Sequence, residues 1–144
     1  ISTFNNEQVF TDLQQFKSDI KLLGVTYLTS WSGKDQYDIT KLMPDQMWEQ
    51  ALRRIKGFHG LICSPKDLKD IDYIDFYHDF QRVCPGIGNN TGQVRTTTPQ
   101  EAFQLGADYI ILGRLVTNSP NPIQTLTQIH KEINESPKIQ TTNT

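Results

Sequence analysis

The chain has 144 residues, 36% of them hydrophobic, and a net charge of −2, which suits one modest core and argues against a general nucleic-acid surface. No apolar run approaches the roughly 20 residues that span a bilayer, and the opening ISTFNNEQ lacks the basic start and apolar centre of a signal peptide. These features predict a cytoplasmic protein that engages neither membrane nor nucleic acid, with Cys63 and Cys84 as buried thiols in a reducing compartment.

In chain order, Val9, Phe10, Leu13 and Phe16 recur at helical spacing and predict a polar-faced helix over 6–18. A first strand is expected over 21–29. Met47, Trp48, Ala51, Leu52 and Ile55 repeat every three to four residues, the spacing of a helix over 44–55 with one inward face. A strand over 60–63, a short helix within 71–80 and a strand over 82–85 follow. Thr98, Pro99, Gln100 and Glu101 form a capping box, in which the Thr hydroxyl accepts from a helix amide, Pro opens the first turn and Glu reaches back to the cap. The helix that begins there places Ala102 and Leu105 on its apolar side and stops at Gly106. Tyr109, Ile110, Ile111 and Leu112 then run apolar without alternation, the pattern of a parallel strand buried on both faces. A final helix is expected over 123–133, after Pro120 and Pro122, with 135–144 as a polar tail.

Strands alternating with helices give the α/β class, a parallel (β/α) barrel of the TIM type. A complete eight-stranded barrel takes about 250 residues, with about 200 as a lower limit. About four βα units are present, so residues 1–134 read as half a barrel. The last strand ends in Gly113 and Arg114. A glycine lets a phosphate approach backbone amides, and a guanidinium just beyond it offers the fork that matches phosphate oxygens.

Several segments, in order, give the chain a family likeness up to about Ile133. VTYLTS at 25–30 matches a strand ending Leu-Thr-Ser, and LICS at 61–64 a Val-Cys-Ser strand. CPGIG at 84–88 corresponds to Thr-Pro-Gly-Ile-Arg, with Gly88 in the arginine's place, and GQVR at 92–95 to Gly-Asp-Gln followed by Arg. The closing Gly-Ala-Asp-Tyr and Gly-Arg-Pro-Ile-Thr patterns correspond to 106–109 and 113–117. In these motifs the chain resembles the orotidine 5'-monophosphate decarboxylases and corresponds to the carboxyl-terminal half of such a protein.

The resemblance implies conversion of orotidine monophosphate (OMP) to uridine monophosphate (UMP) and CO2 in de novo pyrimidine biosynthesis, with no metal or organic cofactor, by a homodimer. It implies substrate-binding roles for Thr29, Ser30, Pro85, Gln93, Gly113 and Arg114. No catalytic residue is expected in this segment, because the family's lysine and aspartate array would lie in the barrel half before Ile1. Asp67, Lys69 and Asp72 spell that array's Asp-x-Lys-x-x-Asp, but Pro65 and Lys66 precede them and Tyr73 follows. They read as a charged outer helix. Two other functions stay open: a barrel lyase or isomerase acting on a sugar phosphate, and a non-catalytic phosphate-binding half barrel. His59, His78 and His130 have no ligand-spaced partners and read as structural.

Overall fold

In the computed structural model the described residues are 1–3, 5–26, 32–74, 77–88 and 96–135. Helix α1 (Glu7–Gln14) leads to strand β1 (Leu23–Val25), then α2 (Gly33–Thr40), α3 (Pro44–Arg54) and β2 (Gly60–Ile62). A short α4 (Leu68–Ile71) precedes β3 (Gln81–Cys84), followed by α5 (Pro99–Gln104), β4 (Tyr109–Ile110), α6 (Arg114–Thr117) and α7 (Pro122–Glu135). The strands form one sheet in the order β1-β2-β3-β4, every neighbouring pair parallel. Sequential parallel strands joined through helices are what successive units of a βα barrel produce. The tail expected over 135–144 lies, beyond Glu135, outside the described residues.

The α3 prediction holds for a physical reason. Met47, Trp48, Ala51 and Leu52 are all buried, and Ile55 behind them is fully enclosed against β1. A Cβ on Gly24 would lie 2.5 Å from Ile55 Cγ2, so a strand glycine is what lets α3 approach the sheet. Leu61, Cys63 and Cys84 continue this helix-facing layer, with Phe10 and Phe58 packing ring to ring at 6.0 Å below it. Both cysteines are free and buried.

Strand alternation sends the intervening residues to the opposite face. Val25, Ile62, Val83 and Tyr109 form one register row there. The first three are half-buried, but Tyr109 is 53% exposed and Ile111 46%. The expectation of a last strand buried on both faces therefore fails. β4 is the terminal strand of this sheet, so its outward residues have no neighbouring strand beyond them among the described residues, while Ile110 and Leu112 pack toward the core.

Other departures are local. Helix α1 ends at Gln14 in successive turns, shorter than the expected 6–18. The helix expected within 71–80 is met only by a short 3-10 turn at Tyr77–Asp79, and the α-helical turn forms earlier, as a 3-10 turn at Pro65–Asp67 continuing into α4. Helix α2 was not foreseen, although Ser32 and Asp35 make a reciprocal capping box that spells its start. Residues 1–3 also went unread as structure: Val25 N donates to Ile1 O at 2.6 Å and Thr3 N to Val25 O at 2.9 Å, adding a parallel bridge outside β1.

The foot of the sheet is closed by a charge pair. Arg82 donates from Nε and Nη2 to the two Asp108 carboxylate oxygens at 2.8 and 2.7 Å, and its backbone amide donates to the same carboxylate at 2.8 Å. These bonds hold the Asp108 carboxyl below its ordinary range and the guanidinium above its own. Arg82 also lies 5.8 Å from the Tyr77 ring centre, and burial pushes that phenol up to about 12.

Candidate functional site

Of the site residues singled out by sequence, Pro85, Gly113 and Arg114 are described, and they follow β3 and β4 at the carboxyl ends of the strands, where βα barrels place their sites. Beyond β1, the Thr26 amide and hydroxyl both donate to the Ile62 carbonyl at 3.0 Å, tying β1 to β2 at the mouth. Thr29 and Ser30 lie outside the described residues. Beyond β2, the Ser64 hydroxyl is fully buried and has no hydrogen-bond partner among the described residues.

Beyond β3, Pro85 is half-buried, and the chain turns through Gly86 (φ 79°) and Gly88 (φ 110°). Gly88 N donates to Thr97 O at 2.8 Å and Thr97 N to Gly86 O at 3.2 Å. Residues 88 and 97 are thus joined at the base of the segment that contains Gln93, which itself lies outside the described residues. Thr97 is buried, and its hydroxyl has no hydrogen-bond partner among the described residues. The glycine at position 88 is left-handed, and Leu115 crowds the space beside it, its Cβ 3.0 Å from an added Cβ.

Beyond β4, Ile111 N donates to Cys84 O at 2.9 Å, holding the ends of β3 and β4 together. Gly113 precedes α6, and its carbonyl accepts from Val116 N at 2.9 Å and Thr117 N at 3.1 Å. A Cβ on Gly113 would meet nothing within 4 Å, so internal packing does not require this glycine. It leaves the backbone open to an approaching group. The Arg114 side chain is exposed and makes no hydrogen bond or ion pair with any described residue. An unpaired guanidinium beside an open backbone turn can receive a phosphate by charge and by its planar donor fork. Behind this turn a cleft of about 640 Å³ runs between α5 and α7, with Gly88, Thr98 and Leu115 in its wall.

Thr98 does cap α5, its Oγ1 accepting from Glu101 N at 3.1 Å, although the return contact from Glu101 is not made. Gly106 ends the turn after α5 at φ 102°. In the Asp-x-Lys-x-x-Asp segment, Lys69 and Asp72 are exposed as a surface helix requires, with Asp72 3.7 Å from His78. Asp67 departs from that reading. It is 5% exposed, in the turn leaving β2. His59 is structural, its Nδ1 accepting from the Leu22 amide at 3.0 Å.

Ser64, Thr97 and Gly88 were not singled out by sequence as site residues. Ser64 stood only inside a strand motif, and Thr97 has no signal beyond its place before the α5 cap. Gly88 showed itself only as a departure from a pattern.

Comparison with known proteins fits this geometry. The sequence matches the model of the orotidine 5'-phosphate decarboxylase / HUMPS family over residues 7–129. It is 37% identical over 122 residues to an orotidine 5'-phosphate decarboxylase of Wolbachia pipientis, covering 81% of this chain and 54% of the relative. The enzyme of that name from Shigella dysenteriae is also 37% identical over 122 residues, covering 80% of this chain and 49% of the relative. Among solved structures, orotidine 5'-phosphate decarboxylase from Lactobacillus acidophilus superposes with a TM-score of 0.69 at 28% identity, over 93% of this chain and 62% of that one. The Pyrococcus horikoshii protein gives 0.63 at 26% identity, over 94% and 60%. The chain spans about half the length of the curated relatives it matches. With a family match over most of its length and the same parallel α/β sheet, this chain belongs to the orotidine 5'-phosphate decarboxylase / HUMPS family.

Proposed function

We propose that the chain is the carboxyl-terminal half of an orotidine 5'-monophosphate decarboxylase, with residues 1–134 as its barrel portion and 135–144 as a polar tail. In this reading it grips the phosphate and pyrimidine of the nucleotide. The lysine that donates the proton, and the aspartates around it, come from polypeptide outside these 144 residues. The whole enzyme converts OMP to UMP and CO2 without metal or organic cofactor, as a cytoplasmic homodimer. The segment alone decarboxylates nothing.

One observation carries the reading: in a member of this family, the Arg114 guanidinium stands exposed at the end of β4, beside an open Gly113, with no partner among the described residues. Thr29 and Ser30 would meet the pyrimidine edge, Gln93 would bridge base and phosphate with its paired donor and acceptor, and Pro85 would wall the pocket.

The chemistry gives phosphate binding a use beyond affinity. In the whole enzyme a fixed carboxylate disfavours the substrate carboxylate, and a lysine favours the charge that develops on the ring carbon and then protonates it. Energy from the remote phosphate holds the ring in that position, so losing it lowers rate as well as binding.

Titration with UMP and with ribulose phosphates tests the assignment. UMP is expected to bind more tightly, and Arg114→Ala to weaken both ligands, since both carry the phosphate that Arg114 receives. Preference for the ribulose phosphates would move the chain to sugar-phosphate chemistry. Decarboxylation assays on the chain alone, and again with an added amino-terminal half, separate an enzyme portion from a non-catalytic binding module. Activity is expected only in the combination.

A further inference from the structure

The turn that leaves β3 passes close to the residue that follows Arg114. Gly88 has φ 110°, and a Cβ built on it would lie 3.0 Å from Leu115 Cβ, 3.1 Å from Cδ2 and 3.3 Å from Cδ1. The turn is also held from behind, by the paired bonds of Gly86 and Gly88 with Thr97 at 3.2 and 2.8 Å. It cannot swing away from Leu115 without breaking the bridge between Ile87 and Thr97. We propose that Gly88 is a positioning residue: close contact between its bare α-carbon and Leu115 seats α6, and so aims the Gly113 backbone and the Arg114 guanidinium at a phosphate. This rests on the phosphate reading of Arg114 given above.

The argument turns on which Leu115 atom is nearest. A crowded methyl at a side-chain tip escapes by changing rotamer. A Cβ has no such freedom, because it is bonded to the backbone. Relieving a contact at 3.0 Å therefore takes a shift of a few tenths of an ångström at Leu115 that a rotamer change cannot supply, and Arg114 is the next residue along. Helix α6 spans only Arg114–Thr117 and is anchored through the Gly113 carbonyl, so it has few internal bonds with which to absorb a push. Gly57 supplies the contrast. It has a similar φ of 93°, but a Cβ there would meet only the Gln14 side chain, at 3.6 Å or more. It lies between α3 and β2, at the opposite end of the strands from Arg114.

The test compares Gly88→Ala, Gly57→Ala, Leu115→Gly and Arg114→Ala with the unaltered 144-residue chain. Three quantities are measured: melting temperature, the backbone amide resonances of Gly113 and Arg114, and the dissociation constants for UMP and inorganic phosphate. Gly88→Ala is expected to shift both resonances and to weaken both ligands by about tenfold or more, the scale on which small misplacements act. Gly57→Ala is expected to lower the melting temperature comparably and to leave resonances and affinities unchanged. Leu115→Gly removes that Cβ from the other side, so it decides the matter if Gly88→Ala does not fold; it should shift Gly113 and weaken both ligands. Unshifted Gly113 with unaltered affinity, in Gly88→Ala or in this substitute, overturns the proposal. Equal affinities of Arg114→Ala and the unaltered chain would instead remove the phosphate reading, leaving the resonances to show whether the contact seats α6.

Discussion

Arg114 and Arg82 are both guanidinium groups next to strands, yet their surroundings assign them opposite tasks. Arg82 is committed: three donors converge on Asp108 and the cation leans toward Tyr77. Arg114 has no such partner among the described residues, and its neighbour Gly113 is open. A charged hydrogen bond is worth about 1.5–3 kcal/mol, so on the proposed decarboxylase reading Arg114→Ala in the complete enzyme should lose at least that much transition-state stabilisation. Arg114→Lys should recover part of it, since an ammonium keeps the charge without the fork. Catalytic efficiency toward OMP measures this, and an unchanged value would take Arg114 out of the site. Asp108 predicts a pH dependence instead. Its folded pKa lies below the unfolded value near 3.8, so its contribution is complete above that value and disappears as pH falls through the folded pKa. Thermal melts of the unaltered chain and of Asp108→Asn should therefore differ most at neutral pH and converge in acid below pH 3.8. A constant gap across that range would show that the carboxylate's charge is not what matters.

At the scale of elements, what could be read in advance was whatever has a local cause. The α3 face follows from side-chain spacing, and the starts of α5 and of the turn after it follow from Thr98 and Gly106. What could not be read depends on neighbours distant in sequence. Residues 1–3 are extended because Val25 offers its amide and carbonyl to them, and no pattern inside three residues announces that. The exposure of Tyr109 depends on where the sheet ends rather than on the run YIIL. The candidate site divides in the same way: that Gly113 and Arg114 follow the last strand was legible from strand grammar, whereas the nearness of Gly88 to Leu115 was not. Two strand glycines make the packing argument testable. A Cβ at Gly24 would press on Cγ2 and Cδ1 of the Ile55 side chain at 2.5 and 2.7 Å, whereas one at Gly60 would strike the Gln81 backbone carbonyl at 2.4 Å. Overpacking typically costs about 1–3 kcal/mol. Urea unfolding should place Gly24→Ala within that range and Gly60→Ala beyond it, because a carbonyl in the β2–β3 ladder has no alternative rotamer. The reverse order would mean that the α3 contact is the tighter constraint.

For the whole molecule, the sheet's two faces differ in a way that bears on how these 144 residues behave by themselves. The helix-facing side is dry: Leu61, Cys63 and Cys84 are fully enclosed. The other side presents Val25, Ile62, Val83 and Tyr109 in one row, with Ile111 beyond, and its exposure rises toward β4. In a closed barrel such rows interlock as layers of the interior. A half-open apolar row with a free strand edge beside it instead invites pairing with another chain. The isolated chain should therefore self-associate in sedimentation velocity at micromolar concentration. The double substitution Tyr109→Lys and Ile111→Lys, on the two most exposed members of that face, should return it to a monomer without a large loss of helical signal. An amino-terminal half supplied in trans should compete for the same surface, suppressing self-association of the unaltered chain and binding the lysine variant poorly. If that variant still self-associates as strongly as its parent, the inner face is not the adhesive surface, and attention would shift to the exposed Ile123 and Leu126 on α7.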